Sequence, residues 1–156
     1  MESKSVGRTV MEGLGVLSVV LSLAFVALQI KQSRDQARAA IQYEIAESFN
    51  GYHDLLAGNA ELAEIVSQLA QASPQFTTAE SWRARAAMSR LLNTWMAVQK
   101  AHDNGLMTTQ EFQGALSDVE STVAALPGAV PLWARMINGR PGFAEYPIFS
   151  PIVEQM

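Results

Sequence analysis

Along most of the chain apolar and polar residues are interleaved, but from residue 13 to residue 30 the polar side disappears. That stretch holds no charged residue, and its only polar side chains are Ser18, Ser22 and Gln29. Eighteen positions without a polar face predict a helix that is apolar all round. At 1.5 Å per residue it covers about 27 Å, against a bilayer hydrocarbon core of about 30 Å. Glu12 marks one end, and Lys31 and Arg34 mark the other. A buried core helix of this kind is too apolar for so small a domain, so a transmembrane helix is expected. A cleaved leader is the competing reading, with Ser22-Leu23-Ala24 as a small-x-small site. The residues from Phe25 to Ile30 stay apolar, however, where a leader turns polar.

Beyond the span the pattern becomes amphipathic with a helical period. Residues 31–56 contain no proline and one glycine, Gly51, and Ile41, Ile45, Phe49, Tyr52 and Leu56 recur at spacings of three and four. The span is therefore expected to run on as a helix from Gly13 to about Leu56, breaking near Gly58. Asn59 is the expected N-cap of a second helix carrying Leu62, Ile65, Val66 and Leu69. Thr77-x-x-Glu80 and Thr108-x-x-Glu111 are capping-box spacings. The first opens a helix with Ala84, Met88, Leu91, Trp95 and Val98 on one face; Gly105 is its expected terminator. The second opens a helix with Phe112, Leu116, Val119 and Val123, ended by Pro127-Gly128. Pro131 suits the start of a short helix through Ile137. Pro141, Pro147 and Pro151, with Phe143, Tyr146 and Phe149, predict an irregular tail packed over the bundle. No window alternates at period two.

Composition narrows the chemistry. The formal net charge is −4, and from Lys31 onward acids outnumber bases thirteen to nine, which argues against nucleic-acid binding. The absence of cysteine excludes disulfides, thiolate nucleophiles and Cys-ligated metals. Glu44-x-x-Glu47 and Glu61-x-x-Glu64 are the nearest approach to a di-metal bundle, but they lack the histidines and fit solvated helix faces better. His53-Asp54 and His102-Asp103 are adjacent pairs, whose side chains diverge by about 100° on a helix. His102 to Phe112 resemble the second half of a calcium loop, yet with Gly105 at the loop glycine Lys100 falls at the first ligand position and His102 at the third. Phosphate-loop and Gly-x-Ser-x-Gly signatures are missing. Trp82, Trp95 and Trp133 lie on or beside apolar stripes and are expected in the core. The chain is expected to be no enzyme and to carry no cofactor and no metal.

Orientation follows from flanking charge. Three side-chain cations, Lys31, Arg34 and Arg38, follow the span and two, Lys4 and Arg8, precede it beside the amino terminus; by side-chain charge the following side is expected to be cytoplasmic. Gly15, Ser18 and Ser22 form a small-residue face, expected to let another membrane helix approach closely.

The run from Ser18 to Ala40, with Ala27-Leu-Gln-Ile-Lys-Gln32 at its centre, resembles the signature of an uncharacterised bacterial family with one N-terminal span. Asn59-Ala-Glu-Leu62 is similar to that family's Asn-Pro-Glu-Leu helix start, with Ala60 in the proline's place. The resemblance implies bacterial origin, a membrane anchor and a helical soluble domain, and no active site.

The expected architecture is all-α, a single transmembrane helix continuing into a small helical bundle. Its parts are an N-terminal tail (1–12), the transmembrane helix (13–30), the bundle (31–139) and the tail (140–156). The expected function is that of a non-catalytic membrane-anchored interaction protein, an accessory subunit or scaffold of a larger membrane complex. The bilayer and a membrane-protein partner or second copy are its expected contacts. The expected location is the bacterial inner membrane, with the N-terminal tail exported and the helical domain cytoplasmic. The alternative is an anchored sensor that binds a small apolar ligand in its bundle, suggested by seven methionines and the tryptophans.

Overall fold

The computed structural model describes the backbone from residue 3 to residue 156 and side chains from Met11 onward. The fold is all-α: a long N-terminal apolar helix followed by a helical domain, with no strand among the described residues. The helices are α1 (Ser3–Ala57), α2 (Ala60–Gln68), α3 (Thr78–Asp103), α4 (Thr109–Ala125), α5 (Val130–Asn138) and α6 (Ser150–Val153). Two compact units divide the chain, Met1–Ala39 and Ala40–Met156, and α1 contributes to both.

Helix α1 begins at Ser3 rather than Gly13, so residues 3–12 of the expected N-terminal tail are helical. The first proline is Pro74, so nothing upstream of the span removes a backbone donor and stops the helix. Met1 and Glu2 of the expected tail lie outside the described residues.

In the second unit the predicted stripes turn inward. Ile45 and Tyr52 of α1 are buried, and Ile41, Phe49 and Leu56 pack against the same core. From α2 and its C-cap come Leu62, Ile65, Val66 and Leu69; from α3 come Ala84, Met88, Leu91, Trp95 and Val98, all buried. Phe112, Val119 and Val123 of α4 complete one wall, with Leu116 partly buried beside them. Each large apolar side chain buried this way contributes about 1.5–3 kcal/mol.

The caps form where their residue types demand. Asn59 Oδ1 accepts from Leu62 N at 3.0 Å. Thr77 Oγ1 accepts from Glu80 N at 3.3 Å, while Thr77 N donates to Glu80 Oε2 at 2.7 Å. Thr108 and Glu111 repeat that box at 3.2 and 2.6 Å. Helix α3 ends in a Schellman motif: Leu106 N donates to Ala101 O, and Gly105 N to His102 O, with Gly105 at φ 67°. That left-handed turn is why a glycine sits there.

The C-terminal segment is built into the core. Residues 140–156 form two 3₁₀ turns, Phe143–Glu145 and Pro147–Phe149, and α6. Ile148, Phe149 and Ile152 are fully buried. A side-chain clamp holds them, because Ile148 N donates to the Oε1 of buried Gln99 at 3.1 Å. Gln99 Nε2 in turn donates to Asp103 Oδ1 at 2.8 Å.

Candidate functional site

The apolar span is the most conspicuous surface of the first unit. Its large hydrophobic side chains from Leu14 to Ile30 are 48–66% exposed. One window in α1 has a mean hydropathy of 2.3 and no buried residue. This is the one helix among the described residues long and apolar enough to cross a membrane. Within it Ser18 Oγ donates to Leu14 O at 2.9 Å, and Ser22 Oγ to Ser18 O at 2.8 Å. Both hydroxyls are thus satisfied by their own helix, which removes the cost of placing them in hydrocarbon. A Cβ on Gly15 would meet nothing within 4 Å. Gly15 and Ser22 are about 20° apart around the helix axis and Ser18 about 60° from Gly15, so the three share one low-profile face.

The polar candidates of the second unit are scattered. His53 is exposed, with its ring 5.9 Å from that of Tyr52. His102 stacks on Phe112 at 4.2 Å and lies 3.8 Å from Asp103 Oδ1. Glu44, Glu47 and Glu64 face solvent, and Glu61 pairs with Arg83. The Glu111 carboxylate is engaged by its own cap and by Gln42 Nε2 at 2.7 Å. Burial raises the Tyr52 hydroxyl above its ordinary pKa. Among the described residues no three His, Asp or Glu side chains converge as a metal-ligand set.

The three tryptophans part company. Trp95 and Trp133 are fully buried, with ring centroids 5.2 Å apart, and Trp133 Nε1 donates to Met88 O at 3.2 Å. Trp82 is 64% exposed, contrary to the core position expected for it. The helical period explains this, since Trp82 is two residues before Ala84 and therefore about 200° from the buried stripe. The Arg85 guanidinium lies over its ring, 5.6 Å from the centroid.

Trp82 and Arg85 line a surface cleft of about 700 Å³ within the second unit. The loop after α2, the first turns of α3 and the start of α5 form its walls. Phe76, Leu132 and Arg135 face it as well. Gly128 fixes the floor: its N donates to Leu69 O at 2.9 Å, and a methyl there would overlap Gln71 O and approach Leu69 O to 3.0 Å. Sequence spacing did not reveal this cleft, because Arg85 and Arg135 belong to different helices and come to line one cleft only through tertiary packing. The available signal was Trp82 lying off the stripe.

No protein-family model, curated protein or solved structure matches the chain.

Proposed function

We propose that this chain is a non-catalytic, single-pass membrane protein of the bacterial inner membrane, acting as an accessory subunit or scaffold within a larger membrane complex. The observation that carries this reading is the apolar stretch of α1, none of which the described chain buries. An apolar surface of that extent is stable in lipid or against another apolar surface, and not in water. Helix α1 continues without a break from the apolar stretch into residues that pack in the second unit's core, which supports reading the stretch as an anchor of that domain. The exposed Gly15, Ser18 and Ser22 face supports association within the bilayer, where small residues let helix backbones approach. The excess of Lys31, Arg34 and Arg38 over Lys4 and Arg8 supports export of the N-terminus and a cytoplasmic domain.

Two experiments test the parts separately. Extraction from native membranes in mild detergent, followed by native mass measurement, is expected to return an assembly larger than one chain. A clean monomer with nothing attached would sink the interaction reading. Because the chain has no cysteine, single introduced thiols report topology without background. Ser5→Cys is expected to react with a membrane-impermeant reagent on intact cells, and Glu154→Cys only after lysis. The reverse pattern would overturn the orientation.

A further inference from the structure

We propose that the cleft lined by Trp82, Arg85 and Arg135 binds a small organic carboxylate with a flat apolar body, such as an arylalkanoic acid. The inference does not rest on the anchored-subunit reading and adds a ligand to the folded domain.

Four observations converge. The cleft's volume, about 700 Å³, lies within the range of about 300–1,000 Å³ typical of small-molecule sites. Its walls are of two kinds. Phe76, Trp82 and Leu132 supply apolar and aromatic surface for a planar body, and Arg85 and Arg135 supply positive charge. No carboxylate lines it, although the chain as a whole carries a formal charge of −4. Two guanidiniums in a lining that holds no carboxylate, in a net-negative protein, make a local anion preference.

The two arginines are also positioned. Arg85 rests over the Trp82 ring, and Arg135 Nε donates to Pro131 O at 3.1 Å. The Arg135 contact uses the stem-side nitrogen and leaves the forked end for a ligand oxygen pair, the geometry in which a guanidinium meets a carboxylate best. Neither arginine forms an ion pair among the described residues. The surroundings are held in place by the close approach at Gly128 and by the Trp133–Met88 bond that ties α5 to α3. A preformed cleft spends little of its binding energy on ordering itself. The pairing of one aromatic wall with one charged fork favours a ring-bearing monocarboxylate over a bare anion, which would leave Phe76 and Trp82 idle.

The test uses the full chain in lipid nanodiscs, labelled with ¹⁵N at tryptophan. Three indole N–H signals are expected, one for each tryptophan, and Trp82→Phe identifies that of Trp82. 3-Phenylpropionate is the probe, with 3-phenylpropionamide as the uncharged body and inorganic phosphate as the anion without a body. A saturable shift of the Trp82 signal with 3-phenylpropionate is expected, with a Kd of about 1 mM or tighter. The amide is expected to bind at least about tenfold more weakly, the size of one lost charge-assisted hydrogen bond, and phosphate at least as much more weakly because it has no apolar body to lay against Phe76 and Trp82. Arg85→Gln is expected to weaken the acid by about tenfold and Arg85→Lys by less, because charge survives and the fork does not. Unmoved Trp95 and Trp133 signals in each variant certify the fold. If an arginine variant fails to fold, the comparison of acid, amide and phosphate on the unaltered chain still decides. Equal binding of the amide or of phosphate, a shift confined to Trp95 or Trp133, or no saturable shift up to about 10 mM would overturn the proposal.

Discussion

Residues 13–30 of α1 and the whole of α3 are both helical and both carry many apolar side chains, but they hide them from water by different means. In α3 the apolar residues follow a stripe, and Ala84, Met88, Leu92 and Trp95 are fully buried by the rest of the domain. In residues 13–30 they surround the helix, and the folded chain covers none of them. Polar side chains differ in the same way. Ser18 and Ser22 turn back onto their own helix, whereas Ser48 of α1 reaches Thr94 of α3 at 2.7 Å. A stripe means that the protein itself supplies the burial; an apolar circumference means that something outside the chain must supply it.

The largest test of that contrast removes a side chain from the domain core. Trp133→Ala deletes a fully buried indole, its contact with Trp95 and its bond to Met88 O. A loss of about 3–5 kcal/mol in unfolding free energy is expected, with no change in the membrane-bound fraction. Denaturant titration of the nanodisc-bound chain measures the first, and flotation on a density gradient the second. If both moved together, the two regions would not be independently stabilised.

A converse substitution strikes the span. Leu21→Arg puts a charge near the middle of residues 13–30 and is expected to cost about 2.5–3.5 kcal/mol of membrane insertion. The domain's unfolding midpoint should stay where it is. Retention of the variant in membranes at the unaltered level, with the domain intact, would mean that the apolar circumference is covered by protein and not by lipid.

How much of this was legible in the sequence depends on range. Thr77, Glu80, Thr108, Glu111 and Asn59 act on neighbours three residues away, so spacing alone located their helix starts. Gly105 was legible as a terminator for the same reason. The start of α1 was missed because Glu12 ends the apolar stretch without ending the helix; hydropathy and helicity are separate signals there. The order in residues 140–156 was hidden because it depends on Gln99, which lies 49 positions from Ile148. Trp82 carried the one local clue to the cleft, its angle from the stripe, but nothing local linked Arg85 to Arg135.

The junction between the two regions offers a milder test. Residues 31–42 hold no glycine or proline, and α1 is helical throughout them. Ala37→Gly with Ala40→Gly is expected to cost about 1 kcal/mol of local helix stability per residue. Faster hydrogen exchange confined to residues 32–40 is the expected signature, with the domain's unfolding midpoint unchanged. Rapid exchange across the same residues in the unaltered chain would show a flexible linker, and the expectation of one continuous helix would have to be dropped.

The smallest expected effect lies at the first turn of α3, and pH exposes it. The Glu80 carboxyl is held below its ordinary pKa, first by the Thr77 hydroxyl at 2.6 Å and then by Thr77 N at 2.7 Å. A carboxyl depressed in the folded state contributes stability above its unfolded pKa, in the ordinary glutamate range. That contribution fades as pH falls through the lower folded value. Thr77→Ala removes the hydroxyl that accepts from Glu80 N and donates to the carboxylate, and should cost about 1 kcal/mol near neutral pH, a typical loss for an N-cap. Part of that loss depends on the Glu80 charge, so the gap between the two proteins should narrow as Glu80 is protonated in both. The substitution touches only the second unit, leaving insertion of residues 13–30 unaffected. Denaturant unfolding followed by tryptophan fluorescence from about pH 7 to about pH 3 measures the gap. A difference that stayed constant across that window would show that the Thr77 hydroxyl acts on the backbone donor alone and that the Glu80 half of the box adds nothing.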